Sequence, residues 1–100
     1  VTSGKRAKAL PDVPTLAESG LRGFDVSSWQ AFFAPAGTPQ PIITKLHEEF
    51  AKMAGQTATA ARLQAMGVEY APMTPAQLGA FQKAEIVKWE KVAKDAKLEL

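Results

Sequence analysis

Apolar residues recur at helical spacing in three stretches and lose that spacing between them. Ile42, Ile43, Leu46, Phe50 and Met53 make one stripe, the i, i+3, i+4 signature of an amphipathic helix. Thr38 stands ready to cap this helix, with Pro39 or Pro41 in its first turn, where a missing amide donor costs nothing. Gly55 closes it. A shorter helix is predicted from Thr57 through Leu63 and Met66 and is stopped by Gly67. Thr74-Pro75 repeats the cap-then-proline pattern, and the helix behind it is predicted to run to about Ala96. Leu78, Phe81, Trp89, Val92 and Ala96 line its stripe, with Ile86 and Ala93 beside them.

The remaining stretches read as loop and strand. Residues 1–9 are the end of a strand and a basic loop, with Lys5, Arg6 and Lys8 solvated. Pro11 and Pro14 bias the residues before them away from helix. Thr15 is placed to cap a short helix over Leu16 to Ser19, Glu18 is its capping-box partner, and Gly20 is the left-handed stop. Phe24 to Ala34 contains no Gly or Pro and is rich in aromatic residues. Phe24 and Val26 fall on one strand face, Trp29 and Phe33 on the other, so this segment is buried on both faces or changes environment along its length. Val68 to Pro72 reads as an edge strand because of its proline. The order strand–helix–strand–helix–helix–strand–helix is an α/β chain whose helices cover a small mixed sheet. Two or three strands make a poor sheet by themselves. The missing strands are expected from an upstream part of the protein or from a second copy of this chain.

Composition narrows the function classes. In 100 residues, 46% are hydrophobic and 22% charged, which is a globular balance. The net charge of +2, with acids and bases interleaved, gives no nucleic-acid footprint. Without cysteine there is no disulfide, thiolate metal site or thiol nucleophile. No apolar run is long enough to cross a bilayer. Val1-Thr2-Ser3 resembles neither an initiator methionine nor a signal peptide, so the chain is expected to begin inside a longer protein.

Catalysis has little to work with. His47, the sole histidine, sits near the polar side of its helix and has no second histidine for a zinc site. Glu48 and Glu49 are neighbours on a helix and diverge by about 100°. Their surface, with Lys52 four residues beyond Glu48, reads as solvated, as do the pairs Glu90–Lys94 and Lys91–Asp95. Glu85 lies between Phe81 and Trp89 at the stripe's edge, where pairing with a lysine is expected. No serine has a base beside it or a nucleophile elbow around it, and no glycine-rich phosphate loop is present. No catalytic residue, metal ligand or cofactor is therefore assigned. Asp12, between two prolines, reads first as an Asx-type turn whose carboxylate accepts backbone donors. Trp29 reads first as a core residue.

Three segments carry a resemblance. Leu10-Pro11-Asp12-Val13-Pro14-Thr15-Leu16-Ala17-Glu18-Ser19-Gly20, then Ser27-Ser28-Trp29, then Ala34-Pro35-Ala36-Gly37-Thr38-Pro39, in this order and spacing, resemble the C-terminal third of the Bug/TctC family of periplasmic solute receptors. The resemblance implies a fragment of a type II periplasmic-binding-protein-like fold. Residues 1–23 would end the second lobe with a proline loop and short helix. Residues 24–37 would be the strand crossing between lobes, and 38–100 would complete the first lobe. It also implies a small carboxylate ligand, no cofactor, a periplasmic location, and delivery to membrane permease subunits. On that placement Asp12 faces the inter-lobe cleft, Trp29 lines it, and Ser27 and Ser28 offer hydroxyls to a carboxylate. The chain alone would leave packing surfaces open, which predicts a dimeric or swapped assembly. The competing reading is a stand-alone α/β interaction module.

Overall fold

Three helices carry the regular structure, each bounded by signals its own sequence supplies. The computed structural model describes residues 1–98, so residues 99 and 100 of the predicted 38–100 segment lie outside the described residues. Helix α1 spans Gln40–Gly55, α2 Thr57–Ala65 and α3 Pro75–Asp95. The backbone leaves helix at Gln56 (φ −69°, ψ 138°), which separates α1 from α2. Helix α2 ends in a Schellman motif: Val68 N–H reaches Leu63 O at 2.9 Å, Gly67 N–H reaches Gln64 O at 3.0 Å, and Gly67 takes φ 71°. Helix α3 opens with a full capping box, Gln77 N–H on Thr74 Oγ1 at 3.1 Å and Thr74 N–H on Gln77 Oε1 at 2.9 Å. It closes with a second Schellman motif in which Lys97, at φ 54°, occupies the position glycine usually takes.

Thr38 does not cap α1. Its hydroxyl donates to Pro35 O at 2.7 Å and closes the preceding turn, leaving Pro39 as the N-cap residue with no side-chain cap. A cap at Thr38 would accept from the amide of position 40 or 41; Pro41 has no N–H, and the Thr38 hydroxyl is turned away from Gln40 toward Pro35. The expected Glu48–Lys52 pair is replaced by Glu49, which stands 3.0 Å from Lys45 and 3.5 Å from Lys52 and serves both cations. Lys91–Asp95 forms at 2.5 Å, whereas Glu90 and Lys94 make no ion pair among the described residues. The short helix at residues 16–19 is a single turn. Ser19 N–H bonds Thr15 O at 3.1 Å, and Leu21 N–H on Leu16 O at 3.0 Å closes it around Gly20 at φ 117°. One turn lacks the length to offset its nucleation cost.

No strand is present among the described residues. Segments 24–34 and 68–72, predicted as strands, carry no regular structure, and the mixed sheet is not formed within this chain. A strand is defined by a ladder partner, and among the described residues these segments meet only a single backbone rung, Val26 N–H on Thr2 O.

Ala93, at 8% exposure, is the one buried apolar residue among those described. The α1 stripe faces largely outward, with Ile42, Leu46 and Met53 all 45–50% exposed. The chain exposes 8427 Å², against roughly 5,500 Å² for a folded monomer of its mass. Its radius of gyration is 16.5 Å, against about 13 Å for a self-contained 100-residue domain. The surplus surface is of the size that one side of a large obligate interface covers.

Candidate functional site

The residues singled out in the sequence lie on two neighbouring pieces, the proline loop and the 24–34 segment. The first pair of residues runs between them. The Val1 nitrogen donates to Pro14 O at 2.7 Å and Leu16 N–H donates back to Val1 O at 2.9 Å, a single rung in the manner of a parallel ladder. On the other side Val26 N–H reaches Thr2 O at 2.9 Å. Chain segments 14–16, 1–2 and 26 therefore lie side by side. At ladder spacing the outer two are about 10 Å apart, with Asp12 just beyond one and Ser27 just beyond the other.

The proline loop is held from both ends. Thr15 is 2% exposed and forms the expected box: Glu18 N–H on Thr15 Oγ1 at 3.0 Å, Thr15 N–H on Glu18 Oε2 at 2.8 Å. Arg6, expected to be solvated, grips the same carboxylate through Nε at 2.9 Å and donates from Nη1 to Pro11 O at 3.1 Å. The Thr15 amide first, and the Arg6 guanidinium after it, hold the Glu18 carboxyl below the usual glutamate range.

Asp12 is exposed and its carboxylate has no hydrogen-bond partner among the described residues. It does not make the expected Asx turn. The loop is instead turned by Val13 N–H on Leu10 O at 3.1 Å. The donor an Asx turn at Asp12 needs is the amide two residues on, and that residue is Pro14. The carboxylate is left free.

The 24–34 segment is pinned by rings. Trp29 meets Phe81 of α3 edge-on at 5.2 Å, and Phe32 stacks on Phe50 of α1 at 4.7 Å with planes 7° apart. Trp29 is neither core nor free: one side rests on Phe81 and 38% of it is exposed. Ser27 and Ser28 are exposed and their hydroxyls are unpartnered among the described residues. From residue 27 to residue 34 no backbone N–H or C=O is hydrogen-bonded among the described residues. Eight consecutive residues thus present free donors and acceptors, which a folded protein pairs with a ladder, a ligand or water.

The arrangement brings Ser27, Ser28 and Trp29 together on one segment and leaves Asp12 across the 1–2 strip. A hollow of about 270 Å³, lined by His47, Tyr70, Met73 and Gln77 among others, lies elsewhere on α1 and α3 and contains none of the four. The offered groups are neutral donors, one carboxylate and one aromatic wall, which suits reversible binding.

Local sequence signals missed a second set of residues. Asp25 Oδ1 accepts Gly4 N–H at 2.8 Å, and Lys88 Nζ donates to the Asp25 carbonyl. Lys8 N–H bonds Glu69 Oε1 at 2.8 Å. Glu85 does find the expected lysine, Lys88 at 3.8 Å, and its Oε2 accepts the Trp89 indole N–H at 2.8 Å. These contacts outside α3 span 21 to 63 residues, and only the bare glycine at position 4 hinted at a close approach.

A family model described as the tripartite tricarboxylate transporter family receptor matches residues 1–98. A UPF0065 protein from the tcbD-tcbE intergenic region of a Pseudomonas species is 36% identical over 98% of this chain and 30% of its own length. Protein BugT of Bordetella pertussis is 33% identical over 95% of this chain and 29% of its own. Among solved structures, the periplasmic binding protein BugD superposes with a TM-score of 0.79 at 35% identity, over 98% of this chain and 33% of that one. R. palustris Rpa4515 with adipate superposes at 0.78 and 38% identity, over 96% and 32%. The chain spans about a third of the length of these relatives.

Proposed function

The chain belongs to the tripartite tricarboxylate transporter receptor family, and we propose that it forms the C-terminal third of a periplasmic receptor that binds a small carboxylate and delivers it to a membrane permease. Residues 1–23 end one lobe, 24–37 cross, and 38–100 complete the other. The rest of the receptor supplies the partner strands that make segments 24–34 and 68–72 part of a sheet, and it covers the surplus surface. The carrying observation is the 27–34 segment: eight residues of backbone and two hydroxyls unpaired among the described residues, with a half-exposed indole, beside a loop locked by Thr15, Glu18 and Arg6.

Ser27 and Ser28 hydroxyls and nearby amides donate to the ligand carboxylate. Each such bond to an ion contributes about 1.5–3 kcal/mol, and without a fixed cation the anion is held and then released. Trp29 walls the ligand's carbon chain. Asp12 accepts from an ordered water or from an ammonium on the ligand. Adipate, present in a relative's structure, is a dicarboxylate of the right class. The task breaks no bond and requires no cofactor.

The test is a thermal-shift scan of the complete receptor against mono-, di- and tricarboxylates and acidic amino acids. A ligand at a hundred times its Kd adds about 2.7 kcal/mol to the folded state, and a Ser27→Ala/Ser28→Ala double variant loses about a hundredfold or more in affinity. No shift with any carboxylate, in a folded and ligand-free sample, sinks the carboxylate reading. Size-exclusion of the same protein assigns the surplus surface. A monomer covers it internally, and a dimer favours the swapped assembly.

A further inference from the structure

We infer that Asp25 and Lys88, with Gly4 fitted against them, form the joint about which the two lobes turn; this rests on the receptor reading above. Asp25 stands at the start of the crossing segment and is bonded to both parts of the chain through different atoms. Its carboxylate takes the Gly4 amide of the 1–23 part at 2.8 Å, and its carbonyl takes the Lys88 ammonium of α3. The fit at Gly4 is tight, since a Cβ there would meet the Asp25 carboxylate at 2.8 Å.

The two anchors differ in stiffness. The Gly4 bond is a short link from backbone to a two-torsion side chain and sets direction. The Lys88 ammonium carries three donors that rotate about one bond, so it follows a carbonyl through a change of angle without letting go. It is braced for this. Glu85 stands 3.8 Å away, held in turn by the Trp89 indole at 2.8 Å, and the ammonium lies 5.6 Å from the Trp89 ring centroid. A half-buried lysine aimed by a carboxylate and an aromatic ring at a single carbonyl is a positioning residue. The aromatic contacts Trp29–Phe81 and Phe32–Phe50 then hold the far side of the crossing segment to α3 and α1.

The chain contains no cysteine, so Leu21→Cys and Val87→Cys, both exposed and one in each part, accept spin labels for a pulsed-dipolar distance measurement on the complete receptor. The ligand-free protein gives a narrow distance distribution. Lys88→Met, which keeps the stem and removes the donors, broadens it about twofold, as expected when a pivot is released into many orientations. Lys88→Arg restores the width. If Lys88→Met fails to fold, as read by helical circular dichroism, Asp25→Ala releases the Gly4 side and broadens the distribution by the same reasoning. A wild-type width in the folded variants overturns the joint. Adipate and the wider carboxylate panel are then added to the labelled wild type. A distance that none of them moves counts against the receptor reading, while the ligand-free widths still decide the joint.

Discussion

Gly4→Ala isolates the closest approach in the candidate hinge. Gly4 does not use a left-handed φ, so alanine meets no backbone strain there. The obstacle is the Asp25 carboxylate, whose Oδ2, Cγ and Oδ1 would stand 2.8, 2.9 and 3.3 Å from the new methyl. The carboxylate must swing away, and in doing so it gives up the 2.8 Å bond from the Gly4 amide. An exposed hydrogen bond of this kind contributes about 0.5–1.5 kcal/mol. The displaced rotamer costs about 0.5–1.5 kcal/mol more, and the stiffer unfolded chain of alanine returns about 0.5 kcal/mol. The net destabilisation is about 0.5–2.5 kcal/mol, a drop of roughly 1–4 °C in the Tm of a chain as long as the relatives. A double-mutant cycle with Asp25→Ala assigns the cost. Without the carboxylate there is neither clash nor lost bond, so Gly4→Ala becomes neutral or slightly stabilising and the coupling is about 1 kcal/mol or more. Equal costs in both backgrounds, or no cost in the wild type, would refute the proposed contact.

Three further outcomes follow from local geometry. The Glu18 carboxyl is depressed in the folded state by the Thr15 amide and Arg6, so its tie is intact above the ordinary glutamate range and is lost as pH falls through the depressed value; the protection of amides in the 10–20 loop, measured against their intrinsic exchange at each pH, falls in acid, and Glu18→Gln removes that pH dependence. Lys97→Gly relieves a left-handed residue at the end of α3 and raises stability by about 0.5–1 kcal/mol in thermal denaturation. Thr74→Ala removes one half of the α3 capping box and costs about 1 kcal/mol in the same assay, whereas Thr38→Ala leaves the α1 cap unchanged because Thr38 does not cap that helix.

What was legible in the sequence tracks the range of the interaction that builds it. The helices depend on bonds three to five residues apart, and their limits were readable from Thr74-Pro75, Gly55 and Gly67. The Thr15–Glu18 box was readable for the same reason. One local reading missed although the sequence held the answer: Asp12 could not close an Asx turn onto Pro14, because proline brings no amide to the bond. Thr38 missed for another reason, since the Gln40 amide is still there to donate but the hydroxyl turns to Pro35 O. The strands missed for a different cause. The apolar residues of 24–34 do mark a segment needing cover on two sides, but a ladder requires a run of paired neighbours, and the described residues supply only the one rung from Thr2 to Val26.

The candidate site depends almost wholly on the long-range class. Arg6 reaches Glu18 across 12 residues, Val1 reaches Pro14 across 13, Gly4 reaches Asp25 across 21, and Lys88 reaches Asp25 across 63. Family resemblance singled out the loop and the proposed crossing segment, because their proline and serine–tryptophan strings are local patterns. It could not locate Asp25 or Lys88, since neither stands in a recognisable string and each is defined only by its partner. Bonds between distant parts of a chain are also the ones a rotation of lobes must either spare or break. A pivot has to be spared, which demands an acceptor that both parts can hold at once. In this chain Asp25 meets that demand, with its carboxylate committed to Gly4 and its carbonyl to a lysine able to turn.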